Sequence, residues 1–441
     1  MSIIVLIPGI LCAFALLFRS PAWVFRHIVL PSILLLPLYY QWKVKLLPPI
    51  DFAEAVLLPL GIGMAIRSMS RWRFSYLDLF LVLFAVSQAA GDRFLGQSTA
   101  SIFELFDSIC KVIVPYMAGK LLIEQDEARS ATIKQIVMLI FAASLIAMYE
   151  FRGLNNLWRM AFGPFFKDDP IPWMTQLRGG NGRISGPFAQ AEVAGMMIVY
   201  AILLSMFLGR HYHWGKRFRR FPALRLPKST VVTALLFLAL YMTQSRGPEL
   251  ECIIALPIAL IGRSRRVLRT AAVVMLFMAV AGGIAYVSLI RYAATNAPTS
   301  EEQETAAYRA VLLEDYLPMA RHSGPWGLGP NFPTIGKYKS VDNEYLFVAL
   351  TDGYVGLGSF LILSGGTLIN LIAAAAYNPQ RLDRAFALTM LGLFFGTLVC
   401  IATVYLGFQP LIFFFLTVGW AQAVRVRKAR QSHNVFAQVY T

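Results

Sequence analysis

Charge is scarce in this chain. Of its 441 residues only 15% are charged, 57% are hydrophobic and the net charge is +16. A soluble domain carries about 25% charged residues, so this composition excludes a water-soluble globule and points to a chain embedded in a bilayer. Histidine and cysteine are also few, 5 and 4. Cys12, Cys110, Cys252 and Cys400 stand singly inside apolar runs, which excludes a disulfide framework and predicts four core residues. No Walker loop, His-Glu-x-x-His or Cys-x-x-Cys occurs, so neither ATP hydrolysis nor a zinc centre is expected, and no cofactor or metal is assigned. Alternating ten-residue strand patterns are missing, which excludes a β-barrel. The first apolar run lacks a basic leader and a small-residue cleavage site, and it reads as a retained helix.

Long apolar runs are what the sequence has in abundance. About thirteen segments, the first at 3–18 and the last at 410–424, are long enough to cross a hydrocarbon core about 30 Å thick. The expected fold is an all-α polytopic membrane protein of about 12–13 transmembrane helices with two long, ordered outer loops. Six parts follow: N-terminal helices over 1–150, a first long loop over 151–186, central helices with the Arg246 turn over 187–290, a large loop over 291–342, C-terminal helices over 343–424, and a basic tail over 425–441. The run 343–376 is too long for one straight span and is expected to begin as an extension facing the loop.

Lysine and arginine set the orientation, since cytoplasmic loops are enriched in them. Arg67–Arg73, Arg210–Lys228, Arg263–Arg266 and Arg425–Lys428 fall in one alternating set of loops, which is therefore assigned to the cytoplasm. The segments 151–186 and 291–342 and the Arg246 turn then face the other side. Most of the positive charge is thus a topology signal, and no nucleic-acid partner is expected.

The outer side is nonetheless rich in arginine: Arg152, Arg159, Arg178, Arg183, Arg246, Arg291, Arg309 and Arg321. Arg246 is the sharpest case, in a short turn, Thr243 to Glu249, between two apolar runs. A guanidinium fixed near hydrocarbon is costly, and its planar fork of donors suits a carboxylate or a phosphate. If the outer arginines converge they form a cavity suited to a lipid-linked phosphate. The bland alternative is pairing with outer carboxylates, Glu249 being the nearest to Arg246. Within the fifth span, Glu104, Asp107 and Lys111 share one helix face and are expected to pair internally or to line a cavity. Asp51 and Glu54 at a helix start resemble half of a metal pair, but nothing elsewhere completes it.

Five segments in order, Arg183-Ile184-Ser185-Gly186-Pro187-Phe188, Ser245-Arg246-Gly247, Tyr308-Arg309, Pro325 to Phe332, and Asp342-Asn343-Glu344-Tyr345-Leu346, resemble the O-antigen ligase and polymerase superfamily over roughly residues 180–410. The resemblance implies a GT-C-like bacterial inner-membrane enzyme with its active site facing the periplasm. Such enzymes move glycans from undecaprenyl diphosphate without a metal. It also implies diphosphate binding by Arg183, Arg246 and Arg309. Where the ligase pattern has a His-Asn pair after the large loop, this chain has Asp342-Asn343. That departure tilts the expectation toward a polymerase of O-antigen or exopolysaccharide repeat units.

A general base near the acceptor hydroxyl is then sought among Asp342, Glu344 and His322, and glycan contacts among Trp326, Asn343 and Tyr345. Asp342 also suits a helix cap, Glu344 a first helical turn, and His322 a solvated loop. The glycines 324, 327 and 329 with Pro325 and Pro330 predict a turn that brings backbone N–H groups close to a ligand. Expected partners are the undecaprenyl-diphosphate-linked glycan donor, a lipid-linked or lipid A core acceptor, membrane lipids, and export or chain-length-regulating proteins. The alternatives are a ligase that places finished glycan on lipid A core or protein, a small-anion transporter, and a scaffold in an export complex.

Overall fold

The computed structural model describes residues 3–124, 128–166, 175–211, 214, 227–261, 301–335 and 341–439, the stretches 301–310 and 425–439 by backbone alone. The span expected at 270–290 lies outside these residues, as do parts of both long loops and most of the basic segment Arg210–Lys228. Within them the chain is helical: α1 (Ile7–Phe18), α2 (Pro21–Val24), α3 (Leu30–Leu35), α4 (Phe52–Arg67), α5 (Tyr76–Phe94), α6 (Ser98–Ser108), α7 (Val114–Leu121), α8 (Ala128–Gly153) and α9 (Leu157–Phe162). Next come α10 (Ala191–His211), α11 (Lys228–Met242), α12 (Arg246–Ile261), α13 (Glu301–Arg321), α14 (Glu344–Thr351), α15 (Gly353–Tyr377), α16 (Arg381–Cys400) and α17 (Phe408–Val439). Two small antiparallel hairpins, Gln41–Trp42 with Ile50–Asp51 and Leu177–Arg178 with Asn181–Gly182, are the described strands.

Among the described residues four helices, α8, α10, α15 and α16, are long and apolar enough to cross a membrane, and shorter apolar helices accompany them. The protein is an all-α polytopic membrane protein, as its composition predicts. All four cysteines are buried and unbridged. Two helical runs contain a π turn, Phe25–Val29 before α3 and Ile109–Ile113 between α6 and α7. Each lies just ahead of a proline, Pro31 and Pro115, whose missing N–H would otherwise interrupt the ladder.

Small residues let the central helices approach. A Cβ on Gly392 would lie 2.5 Å from Ala255 O and one on Gly396 2.9 Å from Glu251 O, so α16 lies against α12 along a Gly-x-x-x-Gly edge. Gly119 and Gly419 bring α7 and α17 together in the same way. The interior is aromatic: Phe360 stacks on Phe414 at 5.2 Å, and Phe84 and Phe394 pack around them.

Charges inside the bundle collect at its two ends. At one end Arg129, at the start of α8, binds Glu124 at 2.6 Å and Asp383 of α16 at 2.5 Å, while Lys120 binds Asp78 at 2.6 Å. At the other end α8 carries Glu150 in its last turn, and α16 finishes at Cys400 beside Gly247. Lys111 also pairs near that end, with Asp51 at 3.0 Å, Glu54 at 3.2 Å and Asp107 at 2.5 Å. Asp51 and Glu54 form a helix capping box around that lysine, which accounts for both carboxylates without a metal.

The expected break in 343–376 is present. α14 ends at Thr351 and α15 starts at Gly353, whose φ is +67°. The expected turn around Arg246 is shorter than the sequence suggests. α11 ends at Met242 and α12 begins at Arg246 itself, because Gln244 adopts φ +50° and reverses the chain within Thr243–Ser245. Pro248 is tolerated in the first turn of α12, where the backbone N–H it lacks is not needed for an intrahelical bond.

Candidate functional site

Two arginine-bearing segments, the first long loop with Arg178 and Arg183 and the turn with Arg246, meet between α11 and α12. Arg183 donates from Nε to Thr243 O at 3.1 Å and from Nη2 to Ser245 Oγ at 2.7 Å. Its guanidinium also reaches Gln176 Oε1 at 2.7 Å and Glu192 Oε1 at 2.6 Å. Arg178, on the second hairpin, donates from Nη1 to Gln244 O at 2.6 Å. Arg246 is exposed on the first residue of α12. There its charge adds to the positive end of the helix dipole.

The segment that carries Arg183 is clamped from behind. Glu150 is fully buried and accepts the amides of Ser185 and Gly186, each at 2.8 Å. Asn156 Nδ2 adds bonds to Ser185 Oγ at 3.0 Å and Gly186 O at 2.8 Å. On its other flank the Arg246 turn is wedged between helices. A Cβ on Gly195 of α10 would meet Pro248 at 2.7 Å, and one on Gly247 would meet Val404 Cγ2 at 2.9 Å.

Val404 lies in the link between α16 and α17, which also anchors the Asp342–Tyr345 segment. Glu344 N donates to Ile401 O at 2.9 Å, Leu406 N donates to Glu344 Oε2 at 2.8 Å, and Tyr345 OH donates to Leu398 O at 2.8 Å. The Arg246 turn and the acidic segment therefore sit against one short piece of chain, at the same end of the bundle. Asn343, not Asp342, caps α14, accepting Leu346 N at 3.1 Å. This leaves Asp342 half-buried just ahead of the helix and without the capping duty that its sequence position suggests.

Glu344 is only 5% exposed, and burial pushes its carboxyl up to about 8, with Asp352 adding to the rise and the Leu406 amide opposing it. It acts in this arrangement as a latch between α14 and the link. Tyr345 also packs edge-on against Phe360 at 6.0 Å. Tyr405 is 42% exposed, yet charges on Glu344, Asp107, Lys111 and Glu104 all reach its phenol. It packs edge-on against Phe347 at 5.1 Å. This residue has no motif in sequence; its place on the link reveals it.

The glycine turn after α13 docks on protein. Leu328 N donates to Leu350 O at 2.7 Å and Gly329 N to Thr351 O at 3.0 Å, so these amides satisfy the end of α14 rather than pointing at a ligand. Gly353 and Gly324 touch across this joint, where a side chain on Gly353 would strike Gly324 O at 2.5 Å. Trp326 is half-buried and stacks on Phe94 at 5.9 Å. His322 is exposed at the end of α13, its Nδ1 2.8 Å from Pro318 O. Arg309 lies on α13, and its side chain is outside the described residues.

Fold and site together define a polytopic helical membrane protein with Arg178, Arg183 and Arg246 gathered at one end of the bundle, against the same link that holds Glu344. Residues 231–361 match the family model described as O-antigen ligase, which supports the O-antigen ligase and polymerase superfamily for this chain. The matched stretch contains Arg246, Arg309, His322, Trp326 and the Asp342–Tyr345 segment, while Arg178 and Arg183 lie before it. No curated protein matches the chain.

Proposed function

We propose that this protein is a lipid-diphosphate-dependent glycosyltransferase of the inner membrane, working at the periplasmic face. It polymerises undecaprenyl-diphosphate-linked repeat units into O-antigen or exopolysaccharide. The observation that carries this reading is the meeting of the Arg246 helix start and the Asp342 segment on the single link between α16 and α17. One supplies positive charge for a leaving group, the other a carboxylate for an acceptor.

The chemistry follows from that pairing. An acceptor sugar hydroxyl attacks the anomeric carbon, the bond from that carbon to the diphosphate oxygen breaks, and the electron pair leaves with the diphosphate. Arginines fixed before the reaction stabilise the charge that develops there, an effect typically worth about 10²–10³ in rate per donor. Asp342 takes the acceptor proton as general base, a role worth roughly 10²–10⁴. Glu344, enclosed and latched, holds the segment in place. Arg309 belongs to the donor side of this reading, and Trp326, Asn343 and Tyr345 to the wall along which glycan passes.

A second reading, transfer of finished glycan to lipid A core or protein, draws on the ligase description of the matched family. One assay separates the two. Purified protein is incubated with a lipid-diphosphate-linked repeat unit and a chelator, and lipid-linked products are resolved by length. A ladder that disappears in Arg246→Ala supports the polymerase. Transfer only when lipid A core or acceptor protein is added makes it a ligase, and no transfer to any acceptor overturns the glycosyltransferase reading.

A further inference from the structure

Glu251 is a buried carboxyl that the proposed chemistry does not use. It lies in α12, about 7.5 Å along the helix axis from Arg246, and is 1% exposed. Its Oε1 accepts from Thr397 Oγ1 of α16 at 2.7 Å, and the Cys400 thiol lends a weak hydrogen bond. Its Oε2 has no partner among the described residues. α16 presses on the same side chain, since a Cβ on Gly396 would lie 3.1 Å from Glu251 Cγ.

Glu251 lines a cavity of about 20 Å³ between α10, α12, α16 and α17, room for one water molecule. Three hydroxyls share that lining, and each has its hydrogen engaged elsewhere. Thr397 donates to Glu251 Oε1 and to Leu393 O, and Thr417 donates to Phe413 O at 2.7 Å. Tyr200 OH, 3.1 Å from Thr417 Oγ1, is therefore the donor of that pair. The polar side chains here thus offer a guest lone pairs alone. No Lys, Arg or His is among the lining residues. An ionised carboxylate so enclosed has no counter-charge, which is costly away from bulk water.

A proton answers both needs. It neutralises Glu251, and the O–H it creates on Oε2 can donate to a water that passes a hydrogen on to Tyr200. A hard metal cation takes about six oxygen ligands, more than these four side chains provide. We infer that Glu251 is a proton-binding site inside the bundle, that one water in this cavity joins it to Tyr200, and that the proton keeps α12 seated on α16. Ionised Glu251 draws further water into a seam that Gly392 and Gly396 hold closed. The titratable groups facing Glu251 are Tyr200 from α10, Cys252 on its own helix and Cys400 from α16, while the cavity wall from α17 carries none. Because α12 opens with Arg246 and α16 runs into the link that holds Glu344, this seam underlies both halves of the proposed site.

The test uses the full-length protein in lipid nanodiscs and difference infrared spectra at neutral pH. Wild type minus Glu251→Gln is expected to show the carbonyl band of a carboxylic acid. Tyr200→Phe is expected to shift that band, because the water loses a partner, and wild type minus Tyr200→Phe displays the same band should Glu251→Gln fail to assemble. Exchange of choline chloride for sodium chloride is expected to leave the band in place. In a Glu344→Gln background, raising the pH is expected to lower the melting temperature more with Glu251 than with Glu251→Gln. A carboxylate band in place of the acid, an acid band that sodium abolishes, an unshifted band in Tyr200→Phe, or equal pH responses of the two melting temperatures overturns the inference.

Discussion

Arg183 Nη2 rests 2.7 Å from Ser245 Oγ, 62 residues further along the chain, and so ties the first long loop to the residue just before Arg246. Arg246 owes its position to this tie and to the packing of Gly247 and Pro248. Arg246→Ala is expected to reduce glycan transfer by about 10²–10³. Its melting temperature should stay near that of the wild type, because the side chain is exposed. A collapse of the melting temperature would instead make Arg246 a structural residue.

Glu150 answers two buried amides with one carboxylate. Glu150→Ala leaves Ser185 N and Gly186 N without that acceptor, at a cost of about 1–3 kcal/mol for each unsatisfied group. Chemical unfolding in detergent should show this loss. Because Glu150 acts on the arginine segment through the backbone of Ser185 and Gly186, surviving protein should retain donor binding at low temperature.

Lys111 holds three carboxylates together in a largely enclosed setting. Removing the cation leaves them facing one another, and breaking a buried pair in this way costs about 3–5 kcal/mol. Lys111→Met is expected to express poorly or to unfold early in thermal melts. Unchanged stability in that variant would show that water already screens the cluster.

Glu344 makes stability depend on pH in a direction that can be worked out. Its folded value is pushed up to about 8 from 4.5, so between these limits the folded protein holds a proton that the unfolded chain releases. Stability from this group is complete below pH 4.5 and falls as pH rises toward 8, by at most about 1.4 kcal/mol per unit. Melting temperatures taken from pH 5 to pH 8 should decline, and Glu344→Gln should flatten that decline. A slope identical in both proteins would remove Glu344 as its source.

Asp342 separates chemistry from scaffolding. Asp342→Asn keeps the shape and removes the base, so turnover should drop by roughly 10²–10⁴ while donor binding persists. Asp342→Glu should restore part of the rate. Equal turnover in Asp342→Asn and wild type would return the search for a base to His322 or to the carboxylates near Tyr405.

Hydrophobic runs made the helices legible, and excess length alone foretold the break that falls at Asp352–Gly353. The burial of the cysteines and the pairing of Lys111 with Asp107 were legible for the same reason: both depend on spacing within one segment. What the sequence hid depends on contacts between distant segments. Arg178 looked like any other outer arginine because its partner, Gln244, is 66 residues away. Asp342 looked like a cap because cap preference is local, whereas Asn343 took the role once the Glu344 amide was drawn to Ile401. The glycines after α13 suggested ligand contact, since nothing local tells that Leu350 and Thr351 present carbonyls to the amides of that turn.

The link between α16 and α17 has a mechanical consequence. It touches the Arg246 turn through Val404 and grips Glu344 through Ile401 and Leu406, so it works as a caliper whose jaws are set by covalent length. Lengthening it by one extended residue would shift one jaw by roughly 3.3 Å relative to the other. Such a shift exceeds the tolerance of a reacting pair, so donor and acceptor geometry here are inherited together and cannot be retuned one at a time.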